Sequence, residues 1–158
     1  YPGAGAHAYR QLAVLEAAFG NRSYVDMRVR QAESLSLKDD NMQRRFAAVA
    51  YALAGDVRGA RPLVAALKKA AAASPSVLLK REASAAAAVV EARANNLERA
   101  MPLAADAGTL GALAKAVVAE QLARDGKLEE ARALAAEVLA ISVVDVFTLI
   151  AKRRVKQI

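Results

Sequence analysis

Hydrophobic residues recur at helical spacing along almost the whole chain, and short polar turns interrupt them. Met42, Phe46, Val49 and Leu53, for example, follow the i, i+4, i+7, i+11 spacing of one face of an amphipathic helix. Turn residues bound each such stretch, so the sequence predicts an all-α fold without β-strands. The predicted helices cover 4–19, 23–37, 40–54, 57–73, 76–94, 97–107, 110–125, 127–140 and 143–155.

Four of the predicted turns share one pattern, at intervals of 35, 40 and 31 residues. They begin at Gly20, Gly55, Asn95 and Gly126, and Gly and Asn most readily adopt the left-handed conformation that ends a helix. Alanine recurs seven places before each turn and a small or apolar residue five places after it, which predicts hairpins whose two helices cross closely. These residues are Ala13, Ala48, Ala88 and Ala119 before the turns and Val25, Ala60, Ala100 and Ala131 after them. Ala71, near a helix end, is expected to be exposed instead.

A period near 34 residues built from helix pairs resembles the tetratricopeptide repeat family. The residues that carry the resemblance are Ala48, Tyr51, Gly55-Asp56 and Ala60, followed by Ala119, Leu122, Gly126 and Ala131. The resemblance implies a right-handed α-solenoid of about four repeats within a single domain, 1–158, closed by a capping helix. The repeats would span about 5–38, 39–74, 75–108 and 109–141, and the closing helix 142–156.

A second similarity concerns two segments, Ala17 to Asn21 and Ala52 to Asp56. They look like the C-terminal repeat regions of some bacterial membrane-linked serine/threonine kinases and winged-helix regulators. In those proteins the repeats serve as an interaction or sensing module, which implies a regulatory module of a bacterial signalling protein. The chain begins at Tyr1 rather than methionine, so we expect it to be a fragment of a larger protein.

The composition argues against a catalytic or metal-binding function. The chain is 56% hydrophobic but only 4% aromatic, and it has no cysteine and one histidine. Thiolate metal sites and multi-histidine sites are therefore excluded, and no phosphate loop or dinucleotide fingerprint is complete. Apolar runs such as Ala83 to Val90, which only Ser84 interrupts, are far shorter than the roughly 20 residues that span a bilayer. We expect a non-enzymatic protein with no catalytic residue, metal, cofactor or transmembrane segment.

The formal net charge of +7 permits an anionic partner. Basic residues come in small groups, and we interpret them as solvated helix faces. Nucleic acid binding by a basic α-solenoid is the alternative function. It would require one connected basic stripe, usually with aromatic residues for base stacking.

The resemblance also implies where a partner binds, because in the family the first helix of each repeat lines a concave groove. We therefore expect a protein or peptide segment as the partner, with scattered cations and apolar patches contacting it. Carried over by register, the groove residues are His7, Arg10, Met42, Arg45, Val49, Glu82, Arg93, Leu113, Glu120 and Arg124. The same apolar positions also fit a helix core, because periodicity alone does not separate two apolar faces.

The last predicted helix is apolar around most of its circumference, through residues such as Val144, Phe147 and Ile150. Such a helix is normally buried on all sides. The preceding helix can cover only one side, which predicts an uncovered face. We expect this face to be an interface, either with a partner protein or with a second copy in a homo-oligomer.

Overall fold

The computed structural model describes residues 2–142 and 145–158, and the predicted all-α fold is confirmed there. The structure is 82% helical, and its described residues form nine α-helices and no β-strand. The high helix propensity of the abundant alanines is the local cause. Two short 3₁₀ turns, Arg22–Tyr24 and Gly108–Gly111, separate some of the helices. The helices are α1 (Pro2–Phe19), α2 (Val25–Ser34), α3 (Asn41–Ala54), α4 (Val57–Ala72), α5 (Val77–Arg93), α6 (Leu97–Asp106), α7 (Ala112–Arg124), α8 (Leu128–Ala140) and α9 (Val146–Val155).

The chain divides into two compact units, Tyr1–Ser76 and Val77–Ile158. In the N-terminal unit, α1 packs against α2 and α3, and α3 packs against α4. In the C-terminal unit, α5 packs against α6 and α7, while α7 also packs against α8 and α9. Within each unit, consecutive helices thus pair as hairpins. The single domain, the repeat boundaries and the right-handed solenoid stay predictions.

Three hairpin turns end their first helix in the same way. Gly55, Asn95 and Gly126 all have a positive φ, at 99°, 60° and 79°. In each case the following residue donates its backbone N–H to a carbonyl five residues earlier, as in the Schellman motif. The N···O distances are 2.8 Å for Asp56 to Tyr51, 2.9 Å for Asn96 to Glu91 and 2.9 Å for Lys127 to Leu122. The left-handed helix ends predicted from these residues are confirmed.

The first turn is built differently. Gly20 is not among the residues with a positive φ, so the predicted left-handed helix end is wrong there. Instead, the Glu16 carboxylate accepts the backbone N–H of Asn21 at 3.0 Å, and the Asn21 side chain accepts the N–H of Ser23 at 3.0 Å. These bonds satisfy the backbone through side chains, and a 3₁₀ turn then leads into α2.

The small residues at the hairpin crossings are buried, as the turn pattern predicts. Ala48 in α3 and Ala60 in α4 are fully buried, and so are Ala119 in α7 and Ala131 in α8. Ala71, however, is only 5% exposed, so the prediction that it is exposed is wrong. It follows Val64 and Leu67 at helical spacing on the buried face of α4, whereas the next residue, Ala72, is exposed.

Candidate binding groove

A groove of about 420 Å³ opens between α6, α7 and α8 of the C-terminal unit. Its floor is apolar, and its charged residues are exposed at the rim. We call it the α6–α8 groove. It is lined by Leu97, Glu98, Met101, Val118, Leu122, Lys127, Glu130, Ala133 and Leu134.

The turn chemistry explains why these residues meet. The Asn95 and Gly126 turns reverse the chain after α5 and α7, so α6 and α8 begin at the same end of the unit. Leu97 and Met101 therefore stand on the first turns of α6, one helical turn apart. Leu122 reaches the same place from the C-terminal part of α7.

The floor and the rim of the α6–α8 groove differ in burial and charge. Val118, Leu122 and Leu134 are buried, so they form a fixed floor. Glu98 and Glu130 are exposed in the first turns of α6 and α8, where the helix dipole favours a negative charge. With the nearby Lys127, the rim carries two carboxylates and one ammonium group.

None of the ten groove residues predicted from the sequence lines this groove. In the N-terminal unit, His7 and Met42 are exposed. The His7 ring packs edge-on against Phe46, with the ring centroids 6.1 Å apart. Arg45 and Val49 are 8% and 2% exposed, so both lie in the interior of the unit and neither stands on an open surface.

Arg10, another predicted groove residue, is 7% exposed and joins three segments of the N-terminal unit. Its Nε donates to Gln43 Oε1 at 3.0 Å, and its Nη2 donates to Ser36 Oγ at 2.7 Å and forms an ion pair with Asp40. Gln43 in turn donates to the carbonyl of Val29 at 3.3 Å. Arg10 is therefore occupied by intramolecular bonds that tie α1 to α3 and to the loop before it.

A tyrosine quoted for the family resemblance also joins two helices of this unit. The Tyr51 hydroxyl in α3 donates to Asp26 Oδ1 in α2 at 3.0 Å. Partial burial, together with this hydrogen bond and the Asp26 charge, raises the pKa of Tyr51 well above its ordinary value. The phenol is therefore a proton donor to Asp26 throughout the neutral range.

The predicted groove residues of the C-terminal unit are spread over different environments. Leu113 is buried in the core, Glu82 and Arg93 are half-buried, and Arg124 is exposed. The Glu120 carboxylate accepts two hydrogen bonds from Arg154 in α9, from Nε at 2.7 Å and from Nη2 at 2.6 Å. Like Arg10, Glu120 is used to hold two helices together.

The last helix is covered more completely than the sequence predicts. Phe147 and Ile150 are 6% and 1% exposed, because both α7 and α8 pack against α9. The prediction that these two side chains stand on an uncovered face is wrong, and Val144 lies outside the described residues. Leu149 is the large apolar side chain of α9 that the described residues leave exposed. The homo-oligomer stays a prediction, but the buried Phe147 and Ile150 are not exposed residues that a second copy could contact.

The Glu120–Arg154 pair should contribute measurably to the docking of α9. Both side chains are less than one fifth exposed, and a bidentate, charge-assisted pair is stronger than a neutral hydrogen bond. We expect Arg154→Gln to lower the free energy of unfolding by about 1–2 kcal/mol, measured by urea denaturation. Arg132→Gln is the matched control, since Arg132 pairs with Glu129 on the surface and should change stability by less than about 0.5 kcal/mol. Equal effects of the two variants would contradict a role for the pair in docking.

The described part of the chain has neither a metal-binding cluster nor a membrane-spanning helix. No group of three or more His, Asp or Glu side chains there is placed to hold a metal ion. None of the helices formed by these residues has the length and apolarity that crossing a membrane requires.

Comparison with protein-family models, with curated proteins and with solved structures found no match to this chain. The tetratricopeptide resemblance and the narrower bacterial similarity therefore stay predictions.

Sequence patterns do not identify the residues of the α6–α8 groove. Leu97 and Met101 have i, i+4 spacing after the Asn95 turn, which is a signal for an apolar face on α6. Nothing local indicates that this face stays partly open. That outcome depends on how far apart α6 and α8 lie across α7, which is a property of tertiary packing.

Proposed function

We propose that this chain is a non-enzymatic interaction module that binds a segment of another protein in the α6–α8 groove. The observation that carries the proposal is an open groove with a buried apolar floor and charges confined to its rim. Its volume of about 420 Å³ falls within the roughly 300–1,000 Å³ of ordinary ligand sites.

The distribution of polar groups favours a protein segment over a small polar ligand. A small polar ligand is oriented by convergent polar groups within its site, whereas Glu98, Lys127 and Glu130 stand at the rim of this one. The apolar floor suits one or two hydrophobic anchors of an amphipathic helix. Met101 adds an adaptable wall, since the unbranched methionine side chain repacks readily around different apolar shapes.

The charge of the rim indicates which residues of the partner would flank its apolar anchors. Two carboxylates against one ammonium group leave the mouth of the α6–α8 groove with a net negative charge. An amphipathic segment with a basic residue beside its apolar anchors is therefore the preferred partner, because complementary charge supports specificity and association rate.

A helical-repeat architecture of the tetratricopeptide type is part of this proposal. Three Schellman turns in a common register and fully buried alanines at the hairpin crossings support it. The α6–α8 groove differs in place from the one that the resemblance implies, because the second helices of two hairpins also line it.

The test is selection of amphipathic peptides from a display library on the purified chain, followed by affinity measurement with fluorescence anisotropy. We expect the selected peptides to share apolar anchors and to bind Met101→Glu at least about tenfold more weakly. A carboxylate at this position would have to be desolvated against the apolar floor, and tenfold corresponds to about 1.4 kcal/mol.

Leu139→Glu is the matched control, because Leu139 is an exposed leucine of α8 that does not line the groove. Its affinity for the peptides should equal that of the unmodified chain. The proposal fails if no peptide is enriched, or if Met101→Glu binds the selected peptides as tightly as Leu139→Glu does.

A further inference from the structure

Four cations stand on the exposed face of α4 in the N-terminal unit. The helix from Val57 to Ala72 contains Arg58, Arg61, Lys68 and Lys69 and no acidic residue. At about 100° per residue, the four positions fall within an arc of about 100°. The buried residues of the helix, among them Val64 and Leu67, face α3 and are centred about 120° away around the helix axis. We call these four residues the α4 cationic face.

The described part of the protein does not neutralise the α4 cationic face. All four side chains are exposed, and among the described residues none of them makes an ion pair. Asp56, the nearest acid in sequence, caps the helix by accepting the backbone N–H of Gly59 at 2.8 Å. Elsewhere the chain does pair its cations, as Arg30 with Asp26 and Lys115 with Glu137 show.

The residues between the cations indicate what kind of anionic partner fits. The other exposed positions on this face are Pro62, Ala65 and Ala72, which are small and let a broad partner come close. The face has no large apolar side chain to insert into a bilayer, and no aromatic ring on which single-stranded bases could stack. It also lacks the aromatic or aliphatic anchors that dominate protein–protein contacts. Charge alone must supply the affinity, and a duplex phosphate backbone is recognised in this way.

The spacing of the cations matches the dimensions of duplex DNA. Arg58 and Arg61 form one pair near the start of α4, and Lys68 and Lys69 form a second pair further along. At 1.5 Å per residue the centres of the two pairs are about 13 Å apart along the helix axis. The major groove of B-form DNA is about 12 Å wide, so each pair can reach one of the two phosphate backbones that border it.

We propose that the α4 cationic face binds the phosphate backbones of B-form DNA across the major groove, without reading the base sequence. This function is independent of the α6–α8 groove, which belongs to the other unit. It supplies the connected basic stripe that the nucleic acid alternative requires, and the missing aromatic residues restrict it to a duplex.

The test measures binding of the full chain to a fluorescein-labelled DNA duplex of about two helical turns, by fluorescence anisotropy over a salt series. Neutralising four phosphates gives a slope of about −3.6 in log affinity against log salt, or about 150-fold between about 50 and 200 mM. Combined alanine substitution of the α4 cationic face should lower the affinity at low salt at least about tenfold and flatten this slope. A duplex of scrambled sequence should bind as well as the first one.

The matched control removes four exposed cations elsewhere that make no ion pair among the described residues, so that both variants fall from a net charge of +7 to +3. Its affinity should change by less than about threefold, since these four residues stand on four different segments of the chain and leave the α4 cationic face intact. Circular dichroism should show equal helix content in both variants, because alanine favours helix. The control substitutions are Arg22→Ala, Lys38→Ala, Arg99→Ala and Lys156→Ala.

Two half-variants test the arrangement across the groove. Arg58→Ala with Arg61→Ala, and Lys68→Ala with Lys69→Ala, should each lose affinity to a similar extent, since each pair contacts one backbone. The proposal is overturned if the chain does not bind the duplex at low salt, or if the control variant loses as much affinity as the α4 variant. It is also overturned if an RNA duplex binds more tightly, or if a polyglutamate peptide at equal charge displaces the DNA, because an acidic protein segment would then be the better partner.

Discussion

We expect Asp40→Ala to lower the free energy of unfolding by about 3–5 kcal/mol, which is the largest effect predicted for a single substitution in this chain. Asp40 is the counter-charge of Arg10, whose guanidinium group is almost wholly buried. The same carboxylate caps α3 by accepting the backbone N–H groups of Met42 at 2.9 Å and Gln43 at 3.1 Å. The variant therefore leaves an interior cation without its partner and two helix donors without an acceptor. Urea denaturation followed by far-ultraviolet circular dichroism measures the loss.

Two further variants separate these contributions. Asp40→Asn keeps a good capping residue and removes only the charge, so it should cost less than Asp40→Ala. Replacing both partners, in Arg10→Met with Asp40→Asn, should recover part of the loss, since removing both charges avoids leaving an unpaired one in the interior.

Glu33→Ala removes an exposed carboxylate of the same unit and is the control. It should change stability by less than about 0.5 kcal/mol. Equal unfolding midpoints for Asp40→Ala and Glu33→Ala would show that the Arg10 network does not stabilise the fold.

The helices were predictable because their ends depend on local chemistry. Glycine and asparagine readily adopt the positive φ that ends a helix. Gly55, Asn95 and Gly126 have this conformation at the predicted helix ends. Gly20 fails because a neighbouring side chain, Glu16, accepts the N–H that follows the helix. Such a competing bond depends on the side-chain conformation, which the residue types alone do not determine.

The functional surfaces were not predictable in the same way. Arg10 has the pattern of an exposed cation, and nothing in the sequence connects it with Gln43 or Asp40, which lie 33 and 30 residues away. Periodicity also fails where alanine is abundant, because a small residue fits either face of a helix. Val49 and Leu113, predicted to line a groove, accordingly lie in the core.

The last helix shows a related difficulty. From the sequence, its apolar circumference predicts a partly uncovered face, because only one helix, α8, precedes it directly along the chain. In the structure α7, which lies further back in the sequence, also packs against α9. Phe147 and Ile150 are therefore buried. Counting sequence neighbours underestimates burial whenever a helix docks against an earlier hairpin.

We expect Ala48→Leu to lower the free energy of unfolding by about 1–3 kcal/mol. Ala48 is fully buried in α3, on the helix that packs against α1, α2 and α4. Three added carbon atoms have no space there, so the neighbouring helices must shift or the side chain must leave its preferred rotamer. Ala119→Leu, at the equivalent position of α7, should have a similar cost, because α7 is likewise packed between other helices. Both losses are measured by thermal and urea denaturation.

Ala72→Leu is the control, since Ala72 is an exposed alanine at the end of α4 and should tolerate leucine with a change below about 0.5 kcal/mol. Ala71→Leu, one residue earlier, adds a sharper comparison. Ala71 faces the core while Ala72 does not, so identical substitutions at adjacent positions should differ in unfolding midpoint. If Ala48→Leu, Ala71→Leu and Ala72→Leu unfold alike, the alanines at the crossings do not set the helix separation, and their recurrence around the turns reflects helix propensity alone.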